Sequence, residues 1–217
     1  MLKIAHRGAS SQKPENTIEA FAKALEMGAD AIELDVHFCK TGEIVVIHDE
    51  TLERTTRGHG KVADKSLPAL QELGVPSLQE TLDLINDRAV MFIETKVPNI
   101  AKPLGRLIEN VVRSGKWHQE NLIVCSFDIQ GLREIKKLYP KIPVAPAFDK
   151  IESLDAIADI PPFAVNLRID NVDKKLVEKI HARGWKIFVW TVNDPEEIRH
   201  AKTLNPDGII SDYLERL

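Results

Sequence analysis

The sequence predicts an α/β fold, a single (β/α)8 barrel over residues 1–217. Three features predict it: eight short apolar runs, helix-type periodicity in most intervals between them, and no glycine-rich loop after the first run. Strands that alternate with helices build a parallel sheet, because a parallel pair needs a crossover of about a dozen residues or more. The rival arrangement, a doubly wound open sheet, favours a glycine-rich phosphate loop after its first strand. Here the first run passes into His6-Arg7-Gly8-Ala9-Ser10-Ser11 instead, so closure into a barrel is expected. A length of 217 residues suits one such barrel.

The strand-like runs are 2–6, 31–36, 90–95, 121–126, 142–147, 163–167, 186–191 and 208–211. Between the first two, residues 16–27 place Ile18, Phe21, Ala22 and Leu25 on one helical face. Asn16 is the expected cap, with Glu19 three places on and Gly28 as the stop. Ser77 and Glu80 repeat the capping arrangement before Leu78, Leu82 and Ile85. Asp194-Pro195 opens the last clear helix, with proline in the first turn, where its missing N–H is no loss.

A further run, 43–48, breaks the alternation, since only six residues part it from the run at 31–36. That interval is too short for a parallel crossover, so the run is expected to return as a hairpin turning at Thr41-Gly42. A two-residue loop would set position 35 opposite 48 and bring His48 beside Asp35. The region 37–76 is then a small insertion after the second strand. Its part from 49 to 76 is rich in charge, Thr and Gly.

Composition narrows the chemistry. A net charge of −4 offers no reason to expect nucleic acid or an anionic membrane as partner. Any anionic ligand then needs a local positive group, a metal or basic side chains. Cys39 and Cys125 lie far apart without metal-type spacing and are expected to be buried free thiols. The N-terminal run is too short for a signal-peptide core, and no later run could span a bilayer. A cytoplasmic protein without stable membrane association is the expectation; the sequence sets no oligomeric state.

In such a barrel, functional groups gather at the C-terminal strand ends, where the loops form one rim. His6-Arg7 ends the first run, Glu33 and Asp35 the second, and Glu94 and Lys96 the third. Side chains alternate along a strand, so Glu33 and Asp35 share one face while Ile32, Leu34 and Val36 share the other. A carboxylate at a strand end is otherwise a solvated loop residue or a helix cap. Two of them at i and i+2 in an apolar strand need positive partners once buried. A hard cation such as Mg²⁺ or Ca²⁺ would satisfy Glu33, Asp35 and Glu94 together, whereas zinc favours Cys or several His. His6 and His48 are the natural acid and base, since free imidazole titrates near pH ~6.5. His37 and His59 are expected to be solvent-exposed, and His118, His181 and His200 to lie on the surface. Arg7 and Lys96 could donate to a phosphate. Phe127 and Trp190, at later strand ends, are read equally well as core or as pocket wall.

Taken in order, His6-Arg7-Gly8, Pro14-Glu15-Asn16-Thr17, Glu33-Leu34-Asp35-Val36 and His48-Asp49 with Leu52-Glu53-Arg54-Thr55-Thr56 form one series. It continues through Glu94-Thr95-Lys96, Ser126-Phe127-Asp128 and Trp190-Thr191-Val192-Asn193. This ordered set, spanning nearly the whole chain, resembles the glycerophosphodiester phosphodiesterase family. The resemblance implies a TIM barrel with a small insertion after the second strand, and hydrolysis of a glycerophosphodiester to glycerol 3-phosphate and an alcohol. It implies one divalent cation, Mg²⁺ or Ca²⁺, on Glu33, Asp35 and Glu94, with His6 and His48 catalytic. It also implies phosphate contacts from Arg7 and Lys96, and a glycerol pocket lined by Phe127 and Trp190. The short stretch at 49–76 leaves the leaving alcohol open. Two alternatives are carried: a lysophospholipase D-type activity, which wants an apolar rim, and a catalytically silent barrel that binds a phosphorylated ligand.

Overall fold

The computed structural model describes residues 1–217. Eight parallel strands close into a ring: β1 (Leu2–His6), β2 (Ala31–Phe38), β4 (Val90–Thr95), β5 (Leu122–Ser126), β6 (Val144–Phe148), β7 (Ala164–Arg168), β8 (Lys186–Trp190) and β9 (Gly208–Ser211). Pairing of β1 with both β9 and β2 completes the closure. β3 (Ile44–Val46) lies outside the ring, antiparallel to β2.

The period-2 alternation sorts the core into layers. Ile32, Leu34 and Val36 point outward and pack beneath the helices. Ala31 and Phe92 point into the lumen with Ile4, Ile123, Phe188 and Ile210, making an apolar plug. The rings of Phe92 and Phe188 meet edge-on at 4.9 Å. Glu33, Asp35 and Glu94 continue the inward faces of the same strands, so the polar site starts where the plug ends.

The outer helices are α1 (Ile18–Glu26), α3 (Leu78–Ile85), α4 (Ala101–Arg113), α5 (Ile129–Leu138), α6 (Lys174–His181) and α7 (Pro195–Leu204). The capping box of Ser77 with Glu80 is present in full, and Asp194 caps α7 as expected. The start of α1 differs from expectation. Thr17 is the cap, accepting from Ala20 N, and the buried face is Ala20, Phe21 and Ala24. Asn16 is freed for another role because its backbone is left-handed, at φ 57°. The β6–β7 crossover holds only a single-turn 3-10 helix (Leu154–Ile157). Pro161-Pro162 follow it closely, and a residue ahead of proline is driven out of the α region.

The hairpin register also departs from expectation. The pairs are Val36 with Val46, His37 with Val45 and Phe38 with Ile44. Cys39 N donates to Glu43 O at 3.0 Å, leaving a three-residue loop, Lys40-Thr41-Gly42, with Gly42 at φ 91°. A glycine able to take the left-handed position at the end of such a loop favours three residues over two. Asp35 therefore lies opposite Ile47, whose N–H donates to Asp35 O at 3.0 Å, and His48 falls just past the ladder.

The stretch from 49 to 76 is not merely a polar excursion. It holds a single-turn 3-10 helix (Val62–Asp64) and α2 (Leu67–Gln71). Leu52, Val62, Leu70 and Val75 make a small core of their own against Cys39, Val45 and Ile47. Both cysteines are buried free thiols, as expected. No helix is long and apolar enough to cross a membrane.

Candidate active site

The site is built first by the turn after β1. Arg7 sits at φ 58° and Gly8 at φ 82°, two left-handed residues in succession. A Cβ on Gly8 would lie 2.8 Å from the backbone carbon of Ala20, so only glycine lets α1 approach this turn. The turn aims two groups of Arg7 at once: its N–H donates to Glu33 Oε2 at 3.1 Å, and its side chain reaches Glu15 at 2.7 Å. Asn16 N donates to Arg7 O at 3.0 Å, and Asn16 Nδ2 donates to Asp35 Oδ2 at 2.8 Å. Strained backbone kept at a rim is an observation that favours function over packing alone.

Glu33, Asp35 and Glu94 each present a carboxylate oxygen, all within 4.8 Å of one another. Two cations face them. Lys96 Nζ bonds Glu94 and lies 3.0 Å from Asp35 Oδ1, and Arg7 Nε lies 3.2 Å from Asp35 Oδ2. Burial drives the Glu33 carboxyl well above its ordinary value, and the charges of Asp35 and Glu94 push the same way. Burial also opposes ionisation of Asp35, but Lys96, Arg7, His48 and Asn16 outweigh it and hold that group low. Three ionised carboxylates would exceed the two cations by one negative charge, which is the charge that Glu33 resists, and the donor set is all oxygen. The cluster fits a hard divalent cation.

The two histidines share one design. His6 Nδ1 lies 2.6 Å from Asp212 Oδ1, and His48 Nδ1 lies 2.6 Å from Asp49 Oδ1. A carboxylate on Nδ1 selects the tautomer that leaves Nε2 free, and it supports the imidazolium when a proton arrives. His6 Nε2 sits 4.0 Å from Glu33 Oε2. Asp212 is held in turn by Ser10 Oγ at 3.1 Å and Asn193 Nδ2 at 2.6 Å. Arg54 donates to both oxygens of Asp49 and both oxygens of Glu15. One side chain from the insertion thereby ties the His48 partner to the Arg7 partner. His37 is buried, not exposed, and its Nε2 lies 2.9 Å from His48 O, pinning the segment that carries His48 past the ladder.

Between these groups lies a cavity of about 190 Å³ whose wall includes His6, His48, Glu33, Glu94, Arg7 and Lys96. Phe127 and Trp190 line it too, their rings edge to face at 5.6 Å. Asp35 lies beneath, almost fully buried. All nine residues singled out from the sequence thus converge on one mouth. His59, His118, His181 and His200 lie on the outside, as expected. Sequence reasoning missed Asp212 and the contact made by His37, and it placed Glu15, Arg54 and Asn193 in the motif series, and Asn16 as a cap, without seeing their roles here. Asp212 had a signal: it follows the last strand directly, where the strand-end rule already applied. Arg54 had only its place in the motif series, which says nothing of its partners 5 and 39 residues away.

Comparison with known proteins agrees with this geometry. The model of the glycerophosphoryl diester phosphodiesterase family matches residues 6–216. A glycerophosphodiester phosphodiesterase of Caldanaerobacter subterraneus subsp. tengcongensis is 36% identical, the match covering 100% of this chain and 96% of that protein. Human lysophospholipase D GDPD1 is 25% identical over 99% of this chain and 84% of its own length. Among solved structures, an Oleispira antarctica phosphodiesterase in complex with its product sn-glycerol-3-phosphate superposes with a TM-score of 0.88 at 27% identity, covering 98% of this chain and 93% of that one. With the ring closed, the nine residues gathered at its mouth and the family match running almost end to end, the chain belongs to the glycerophosphoryl diester phosphodiesterase family.

Proposed function

We infer that the protein hydrolyses glycerophosphodiesters to glycerol 3-phosphate and an alcohol, with a divalent cation and a pair of histidines. The observation that carries this reading is the pair of carboxylate-held histidines at one cavity with three clustered carboxylates. Glu33, Asp35 and Glu94 would hold one Mg²⁺ or Ca²⁺. When bound, such an ion supplies a Lewis acid for phosphoryl oxygen. Arg7 and Lys96 bind the phosphate and share the charge that develops on it, the electrostatic contribution that commonly dominates. One histidine takes the proton from the attacking oxygen while the other gives a proton to the departing alkoxide; such transfers contribute about 10²–10⁴-fold. Phe127 and Trp190 pack against the glycerol carbons.

The attacking oxygen is that of water or of the neighbouring glycerol hydroxyl, and the second route passes through a cyclic phosphate. Trapping a cyclic product, with ¹⁸O from solvent followed into each step, separates the two.

A lysophospholipid substrate, the alternative already carried from the sequence, is the second reading, and the human relative is named for that activity. The mouth argues against it: Phe127 is the one large hydrophobic residue exposed there, since Met1 and Leu138 lie elsewhere. A silent binding barrel would have no use for two carboxylate-held histidines. The test is turnover of a panel of glycerophosphodiesters and lysophospholipids after chelation, with Mg²⁺ or Ca²⁺ then restored. Activity on glycerophosphodiesters is expected to vanish and return, and His48→Ala to remove most of it from a folded protein. Metal-indifferent turnover, or a folded His48→Ala with near-normal rate, overturns the scheme.

A further inference from the structure

Buried polar atoms almost always have hydrogen-bond partners, so each exception needs a cause. Three buried side-chain atoms here have none: Arg7 Nε, Asn166 Oδ1 and Trp190 Nε1. All three belong to residues lining the 190 Å³ cavity. Arg7 Nε is compensated by the Asp35 carboxylate 3.2 Å away. The other two belong to uncharged groups, and the fold offers them nothing.

Asn166 stands on β7 between Ala147 of β6 and Phe188 of β8 in the strand register. It is only 4% exposed. Its amide donates to Cys125 Sγ at 3.4 Å, a weak acceptor. The cavity floor around it is otherwise apolar: Cys125, Ala147 and Ile210. Branched apolar residues dominate such inward positions in barrels of this kind. A buried amide left unpaired there is destabilising, a loss that packing has no reason to accept. Turning the amide over exchanges its ends but still leaves one of them without a partner. Only a ligand group able both to donate and to accept suits either orientation, and a hydroxyl is that group.

We propose that Asn166 is a specificity-determining residue that hydrogen-bonds a free hydroxyl of the polyol carried on the phosphate, with Trp190 Nε1 donating to another oxygen of the same bound group. The cavity then selects phosphate esters by the free hydroxyls of the retained arm. Esters whose arm is deoxygenated leave Asn166 unpaired and lose its contribution. This rests on the phosphodiesterase reading for its catalytic consequence but not for the binding preference itself.

Both levels are measured in parallel. Calorimetry compares binding of sn-glycerol 3-phosphate with that of propyl phosphate. Turnover compares a glyceryl and a propyl phosphodiester that share one leaving alcohol, in the wild type and in Asn166→Leu. The wild type is expected to favour the glyceryl ligand about tenfold or more, the scale set by one unpaired buried polar group. In Asn166→Leu the ratio should fall to within about threefold of unity, chiefly through loss on the glyceryl side. Asn166→Ser, which keeps a hydrogen-bonding group, should retain part of the preference. Trp190→Phe should lower it as well. If Asn166→Leu does not fold, as judged by its thermal transition, Asn166→Ala carries the same comparison. An equal loss on both ligands, or a ratio that stays at the wild-type value, overturns the assignment. If the wild type turns over neither diester yet shows the binding preference and Asn166→Leu abolishes it, the catalytic reading fails and this one stands.

Discussion

Asp212→Asn keeps the shape of the side chain and removes its charge, which separates its service to His6 from its service to the fold. Burial pushes this carboxyl up, but bonds from His6, Asn193 and Ser10 outweigh that and hold it at about 2, against an ordinary 3.8. Converted at about 1.4 kcal/mol per pKa unit, the difference would be on the order of 2.5 kcal/mol for a fully shielded group. The side chain is 32% exposed, and solvent screening brings the figure to about 1 kcal/mol. Domains of this kind hold about 5–15 kcal/mol, so the variant stays folded and Tm drops by about 2–4 °C. The kinetic loss is larger. An imidazole without its carboxylate loses both its orientation and the support of its charged form, and kcat should fall about 10²-fold or more, equivalent to at least ~2.7 kcal/mol. KM should move only a few-fold. The assay is release of glycerol 3-phosphate, followed beside a thermal melt of the same preparation. A folded variant whose kcat stays within threefold of wild type would refute the role given to the His6–Asp212 pair. Acid titration supplies an independent check. Because the folded state depresses this pKa, its stabilisation is complete above about pH 4 and disappears as the pH falls towards 2. The stability gap between wild type and Asp212→Asn should close across that window.

Arg54→Lys loses the fork that serves Asp49 and Glu15 together, because an ammonium cannot donate to both carboxylates in that geometry. Turnover should fall about tenfold while Tm changes little, since the side chain is 47% exposed. A double-mutant cycle with Glu15→Gln should be non-additive, and simple additivity would sever the proposed link. Gly8→Ala places a Cβ 2.8 Å from the backbone of Ala20 on a left-handed residue. It should cost about 2–4 kcal/mol in chemical denaturation, and a loss under about 1 kcal/mol would show that the turn has slack.

The two kinds of information divide along the range of the forces involved. Strand positions, the capping box at Ser77 and the shared face of Glu33 and Asp35 were legible in the sequence. Each depends on residues within a few places of one another, through the periods of helix and strand. The ordered motifs supplied the family. The impossible crossover at 43–48 exposed β3, although Gly42 set the loop at three residues and shifted the partner of Asp35 to Ile47.

What only the tertiary structure decided is whatever joins distant segments. His6 meets Asp212 across 206 residues, and no local pattern announces that pair. Burial of His37 depends on the small core that residues 49–76 build over the hairpin, a stretch whose polar composition suggested open loop. Asn16 has the composition of a helix cap, but a left-handed backbone turned it towards Asp35. Asn166 stands alone in a buried strand as far as sequence is concerned. Its unpartnered amide became visible only when closure of the ring put it in the wall of the same cavity as the two histidines. The sequence by itself determined the elements and most of the groups that meet at the mouth, because periodicity is local. Orientation, partners and unmet hydrogen bonds were decided by closure of the barrel, because they depend on atoms that only the closed ring brings within a few ångströms.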